Sequence, residues 1–405
     1  MNRGFNFALS FLLLATVVLS ACAPAAVTPE KVEVIKTVQV EVTKMVAGTP
    51  EVQLQVVTAT PENKPTDLPA GSVTINGAGA TFPLPVYAEW NYAFQYVDPA
   101  VVLNYQGIGS GGGKKGIIDR TIDYAGSDSL LKDEEYQKGV DLQMLPMLAG
   151  AVVPIYNIEG VTKTVTLDGN TLAGIYSGTI KKWNDDAIKA LNPDLAAQLP
   201  DKAITAVHRS DGSGTTEIFT KFLAAANEAW KTAPGAGSAI EWPVDKAGNG
   251  IGGKGNQGVA VSVLNTKNSI GYVELSYAVA NKIAYAQMVN AAGMTVKANA
   301  ESLASAISDF ANTFSDKLTT DLSNGSGAGS WPIAGYTYII LHMTSMDDCV
   351  KAQKLLGYLN WALTDPAAGK RAADLGYTVL PDAVRLIVLT KLGEVTCQGQ
   401  PVLTK

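Results

Sequence analysis

Three times along this 405-residue chain, a short β-rich run breaks into a turn of glycine with serine or threonine and then opens a helical pattern. Val73-Thr-Ile leads into Asn76-Gly-Ala-Gly-Ala-Thr81 and a helix from about Pro83, with Val86, Trp90, Ala93 and Phe94 at helical spacing. Val101-Val-Leu-Asn-Tyr leads into a turn at Gly107 to Gly113 and a helix over Lys114 to Arg120. Ala203-Ile-Thr-Ala-Val-His leads into Arg209 to Gly214 and a helix carrying Ile218, Phe219, Phe222 and Leu223. This alternation implies an α/β architecture. It also suggests chemistry. A turn at a helix N-terminus presents unpaired N–H groups and the positive end of the helix dipole, which together favour an anion. Glycine lets the backbone approach a ligand, and hydroxyls add donors. One such turn is weak evidence; three, one of them beside Arg209, point to an anion site.

Two glycine motifs imitate other sites. Gly107-Ile-Gly-Ser-Gly-Gly112 satisfies the dinucleotide fingerprint, but it follows the second strand of its domain, and Asp128 sits in a Gly-Ser-Asp turn rather than at a strand end. Gly248-Asn-Gly-Ile-Gly-Gly-Lys254-Gly255 comes within one residue of a P-loop, ending on glycine where a hydroxyl should hold Mg²⁺. Both readings are rejected. Enzyme chemistry has little to work with: there are two histidines, His208 and His342, no G-x-S-x-G elbow, and neither C-x-x-C nor H-x-x-x-H. Both histidines read as structural, and no metal or cofactor is expected.

The chain exceeds the size at which one core usually keeps growing, so two lobes are expected. Charged residues are 17% of the chain, the net charge is −6, and no Lys/Arg run occurs, which argues against a nucleic-acid partner. At the start, Arg3 precedes an apolar stretch from Phe11 to Leu19 and then Leu19-Ser20-Ala21-Cys22. That pattern is too short for a membrane span, reads as a signal peptide over residues 1–21, and resembles a bacterial lipobox with Cys22 as the acylated residue. Residues 22–71 form a lipidated N-terminus and stalk, proline-punctuated, with alternating stretches such as Val38-Gln-Val-Glu-Val and Val52-Gln-Leu-Gln-Val but no aromatic residue to build a core. The stalk is expected to be extended, or paired with another surface. With Cys22 consumed by lipid, Cys349 and Cys397 remain as a pair that an oxidising compartment allows to bridge, two buried free thiols being the alternative.

Ile75-Asn-Gly-Ala-Gly-Ala-Thr-Phe-Pro-Leu-Pro-Val-Tyr87, Asn104-Tyr-Gln-Gly-Ile-Gly-Ser-Gly-Gly112, Gly126-Ser-Asp128 and Arg209-Ser-Asp-Gly-Ser-Gly-Thr215 resemble the phosphate-binding protein of the bacterial phosphate ABC transporter, the PstS family. Gly252-Gly-Lys-Gly-Asn256, Ile270-Gly-Tyr-Val-Glu274 and Trp331-Pro-Ile333 fit as well. The resemblance runs from about residue 73 to about 385. It implies a two-lobe periplasmic-binding-protein fold of the class II type with the ligand cleft between lobes. The chain would cross between lobes near Ala149–Tyr156 and Trp331–Ile340, giving lobe 1 as 72–150 with 335–405 and lobe 2 as 151–334.

The resemblance also implies a ligand set for inorganic phosphate. Thr81 and Phe82 donate backbone N–H, Thr81 and Ser110 donate hydroxyls, and Asp128 accepts a proton from the ligand. From the other lobe come Arg209, held by Asp211, and Ser213, Gly214 and Thr215. Three positions depart from the family pattern: Gly111 where a second serine is common, Ser210 where alanine is usual, and His208 where a second arginine is common. The implied protein is a lipid-anchored, extracytoplasmic monomer that delivers phosphate to ABC permease subunits and is not an enzyme. A binding protein for another tetrahedral oxyanion, such as sulfate, and a phosphate-releasing hydrolase are the competing readings.

Overall fold

In a computed structural model of the protein, residues 37–46, 49–58, 69 and 71–403 are described. Cys22, expected to be acylated, and residues 1–21, expected to be a signal peptide, lie outside them. The chain divides into two compact units, Met1–Asp67 and Leu68–Lys405. Within the first, the alternating stretches Thr37–Val46 and Thr49–Thr58 pair antiparallel with each other.

The second unit is organised by one mixed sheet. Eight of its ten strands form a continuous path: β1 (Val73–Gly79), β2 (Val101–Gly107), β3 (Tyr124–Ser127), β4 (Leu142–Asn157), β5 (Thr205–Arg209), β6 (Gly250–Gly253), β7 (Ser269–Glu274) and β8 (Ala334–His342). The spatial order is β2-β1-β3-β8-β4-β7-β5-β6. At one end β1 runs parallel to β2 and β3; at the other β5 runs parallel to β6 and β7. Between them β4 extends through both groups. Its first part pairs antiparallel with β8, from Leu142 to Ala151, and its second with β7, from Val152 to Asn157. These two groups of strands correspond to the two lobes of a periplasmic-binding-protein fold, and β4 runs through both. Trp331 fixes the crossing, fully buried and donating its indole N–H to the Val152 carbonyl at 3.0 Å.

Four helices open directly after parallel strands: α1 (Leu84–Phe94) after β1, α2 (Ser110–Ile118) after β2, α3 (Gly214–Ala226) after β5 and α4 (Gly255–Asn265) after β6. The second begins four residues earlier than the expected Lys114. Gly111, Gly112 and Gly113 have poor helix propensity and read locally as a turn. Tertiary packing overrides that preference: a Cβ on Gly113 would lie 2.7 Å from the Gly79 Cα, so only glycine lets this helix lie against β1. Separate aromatic clusters fill the lobes, Tyr87, Trp90, Phe94 and Tyr358 in one and Tyr176, Phe219, Trp242 and Tyr272 in the other. Cys349 and Cys397 are joined by a disulfide spanning 48 residues, their Cα atoms 5.5 Å apart. It ties the start of helix α5 (Cys349–Thr364) to the C-terminal segment. Among the described residues no helix is long and apolar enough to cross a membrane.

Candidate functional site

Ligands of open α/β sheets gather where parallel strands end at their C-terminal edge. Here the C-terminal ends of β1, β2 and β3 from one lobe face those of β5, β6 and β7 from the other, and the turns meet directly. The Gly111 N–H donates to the Gly212 carbonyl at 3.0 Å. Gly109 has φ +85°, and a Cβ there would lie 2.3 Å from Asp211 Oδ2; one on Gly214 would lie 2.4 Å from Asp128 Oδ2. Glycine at these two positions lets the lobes close this far. Gly111 has the same use, since a Cβ there would come within 3.3 Å of the Gly212 Cα. Its departure from the family pattern removes a hydroxyl and admits a close backbone contact.

The expected ligand residues converge here, and their hydrogen bonds have a common sense. Ser110 Oγ accepts the Asp128 N–H at 3.2 Å and, from the other lobe, the Gly214 N–H at 3.1 Å. With both lone pairs engaged, its proton is left to donate. Thr81 Oγ1 accepts from the Asn256 backbone N–H at 3.1 Å and its side-chain amide at 2.9 Å. Thr215 Oγ1 accepts from the same amide at 3.1 Å and faces Arg209 Nη1 at 3.5 Å. The backbone N–H groups of Thr81 and Phe82 have no protein acceptor among the described residues. Ser213 caps α3 by accepting the Thr216 N–H at 3.0 Å. All of these side chains are buried.

Two aspartates enter the site in opposite electrostatic states. Asp211 holds Arg209 bidentately, Nε at 2.7 Å and Nη2 at 2.5 Å, and accepts the Gly255 N–H at 3.0 Å. Burial pushes its carboxyl up, but the Arg209 hydrogen bonds and charge outweigh burial, and it ends below the ordinary carboxylate range. Asp128 is 5% exposed and has no bidentate cation. Burial pushes it up to about 7, against the lowering effect of the Thr337 hydroxyl and Arg209. Thr337 donates to Oδ1 at 3.0 Å, while Oδ2 is buried without a partner among the described residues. The site therefore offers donors from both lobes, one guanidinium and a single acceptor.

Residue-by-residue reading missed several members. Asn256 ends the Gly252-Gly-Lys-Gly-Asn256 motif, from which no ligand role follows by itself, yet β6, Lys254-Gly255 and α4 repeat the strand-turn-helix pattern a fourth time. Thr337, on the return strand, carries no local motif. Tyr277 and Tyr377 brace the Thr81-Phe82 turn, donating to the Thr81 carbonyl at 2.5 Å and the Phe82 carbonyl at 2.7 Å. The histidines lie in structural networks. His208 stacks on Trp242 at 4.9 Å and bonds Asp245 and the Arg209 carbonyl; His342 bonds Asp141 and the Ile117 carbonyl.

The family model of a PBP superfamily domain matches residues 58–366. A protein named phosphate-binding protein PstS from Pasteurella multocida is 42% identical over 314 residues, covering 77% of this chain and 87% of that protein. One of the same name from Methanocaldococcus jannaschii is 34% identical over 332 residues, covering 78% and 85%. In structure, the phosphate-binding protein from Stenotrophomonas maltophilia superposes with a TM-score of 0.59 at 20% identity, covering 79% of this chain and 94% of that one. Sequence and architecture agree: the chain belongs to the PstS family of phosphate-binding proteins, within the PBP superfamily.

Proposed function

We propose that the protein captures inorganic phosphate outside the cytoplasm, between its lobes, and delivers it to the permease of an ABC importer. The carrying observation is Oδ2 of Asp128, buried among donors and without a hydrogen-bond partner among the described residues. Near neutral pH phosphate keeps at least one proton and sulfate none. An ionised carboxylate can accept that O–H, but it repels a bare sulfate oxygen. In this reading Thr81, Phe82 and Ser110 hold the anion from lobe 1 (72–150 with 335–405). From lobe 2 (151–334) Arg209, positioned by Asp211, bonds it, and Ser213, Gly214 and Thr215 close the cradle around it. The family relatives named for phosphate support it, as do the donor senses of Thr81, Ser110 and Thr215. Sulfate is the less suitable ligand because a carboxylate faces it. A hydrolase would need an activated nucleophile or a metal cluster, and among the described residues no group of His, Cys, Asp and Glu could hold a metal ion.

Anchoring through lipid on Cys22, in a monomer, completes the proposal and rests on the Leu-Ser-Ala-Cys pattern alone. Calorimetric titration with phosphate, sulfate and arsenate tests the ligand assignment. Phosphate should bind far more tightly than sulfate, with arsenate, protonated likewise, as a real competitor. Comparable affinity for sulfate would overturn the assignment.

A further inference from the structure

The hydroxyls of Thr81 and Thr215 come from different lobes and share one neighbour, the Asn256 side chain, which is fully buried. The identity of its two amide atoms is fixed by its surroundings. Oδ1 accepts the Glu274 backbone N–H at 3.0 Å, so Nδ2 must face the other way. There its two protons are shared one to each hydroxyl, at 2.9 Å to Thr81 Oγ1 and 3.1 Å to Thr215 Oγ1. A hydroxyl left to itself can donate or accept. One that already accepts from an N–H is biased to donate elsewhere, and the Asn256 backbone N–H adds a second bond to Thr81 at 3.1 Å.

We infer that Asn256 is a specificity-determining positioning residue: its amide holds the Thr81 and Thr215 hydroxyls as donors, so that the cleft selects an oxyanion and closes around it. This deepens the phosphate reading and rests on it. The anchoring bond makes the role directional. The Glu274 N–H keeps an oxygen on its side in either an amide or a carboxylate, so replacing Asn with Asp exchanges the donor for an acceptor and adds a negative charge to the cleft. Both hydroxyls would then turn toward the carboxylate and away from the ligand. For a side chain serving only to fill space, N256A would cost the same with or without the two hydroxyls, so the valine background separates that role from this one.

The test compares phosphate affinities by calorimetry in the wild type, Asn256→Ala and Asn256→Asp, with a cycle into a Thr81→Val/Thr215→Val background. N256A, which frees the hydroxyls to rotate, should bind about tenfold more weakly, a change of the size of one oriented hydrogen bond. N256D should be weaker than N256A by at least about another tenfold. In the valine background N256A should cost less than about threefold, because residues that act through one another are not additive. Full additivity of N256A with the valine pair overturns the inference, and so does an N256D protein that binds as well as N256A. Thermal unfolding without ligand identifies any variant that fails to fold; if N256D fails, the N256A cycle decides alone. A wild type indifferent to phosphate overturns the functional reading and this one together. A wild type that binds phosphate but fails the cycle overturns this one only.

Discussion

Asp128 at the end of β3 and Asp211 in the turn after β5 are the same residue on opposite walls of one cleft, and they do opposite work. Asp211 spends both oxygens on Arg209 and sits below the ordinary carboxylate range. It fixes the direction of a cation. Asp128, with no such partner, is pushed up to about 7 by burial and keeps one oxygen uncommitted. It can receive a proton from a ligand. The side chain does not determine the role; the presence of a guanidinium within hydrogen-bond reach does. An anion site built from donors alone has nothing to accept a ligand O–H; in the proposed reading the Asp128 carboxylate supplies that acceptor and favours a protonated oxyanion.

The largest effect should come from the uncommitted carboxylate. Sites built around one required ligand hydroxyl reject analogues lacking it by on the order of 10⁴–10⁵. The wild type should therefore prefer phosphate over sulfate by several decades, and Asp128→Asn should narrow that gap by at least about a hundredfold, because an amide can also donate. Phosphate binding itself should persist on the remaining donors. Competition calorimetry reads the ratio; an Asn variant with undiminished discrimination would show that another group carries selectivity. Arg209→Met should act differently, weakening both anions together by about tenfold to a hundredfold, the size of a hydrogen bond to a charged group, and leaving their ratio unchanged. If Arg209→Met changed the ratio as much as Asp128→Asn does, the division of labour between the two walls would collapse.

A smaller effect follows from proton occupancy. In the ligand-free protein Asp128 is ionised above about pH 7 and protonated below. A protonated carboxyl can donate to a bare sulfate oxygen, so sulfate binding should strengthen as pH falls toward 7, by up to about tenfold per unit, and level off below. In Asp128→Asn the sulfate profile should be flat over the same interval. A flat wild-type profile would mean that Asp128 does not meet the ligand.

Much of the fold and most of the proposed site were legible in the chain because glycine, serine and threonine at the strand-to-helix turns carry local signals. The order of motifs supplied the rest of the family resemblance. Asn256 was overlooked because its role depends on Glu274, eighteen residues downstream, whose N–H fixes the amide. Thr337 was invisible for a stronger reason: its contact with Asp128 joins residues 209 positions apart, through a return strand with no motif of its own. The early start of α2 was missed because the glycines that weaken a helix locally are those that let it pack on β1. Local preference and tertiary packing disagreed there, and packing won.

Glu274 supplies the smallest effect on ligand selectivity and the sharpest control on Asp128. It too is a buried carboxyl without a bidentate cation: burial pushes it up to about 8, against the lowering effect of Ser276 and Tyr377, with Asp128 adding a further upward push. Its Oε2 accepts from the Ser276 N–H at 2.9 Å, from the Ser276 hydroxyl, and faces the Tyr377 hydroxyl at 2.8 Å; Oε1 has no partner among the described residues. The same Tyr377 hydroxyl also faces the Phe82 carbonyl, and its one proton cannot serve both acceptors. A protonated Glu274 resolves the conflict by donating to Tyr377, which then donates to Phe82. Because the folded carboxyl holds its proton more tightly than an unfolded one, its contribution to stability is fully present below the unfolded value of about 4.5 and is lost as pH rises through about 8. Glu274→Gln should match wild type in thermal stability near pH 5 and exceed it near pH 9, with a difference on the order of a few kcal/mol. Its phosphate/sulfate ratio should stay within about threefold of wild type, since the amide faces no ligand oxygen and can still donate to Tyr377. A Gln variant that shifts selectivity as Asp128→Asn does would mean that buried carboxyl charge anywhere near the cleft sets the ratio, and that the position of Asp128 at the ligand is not what matters.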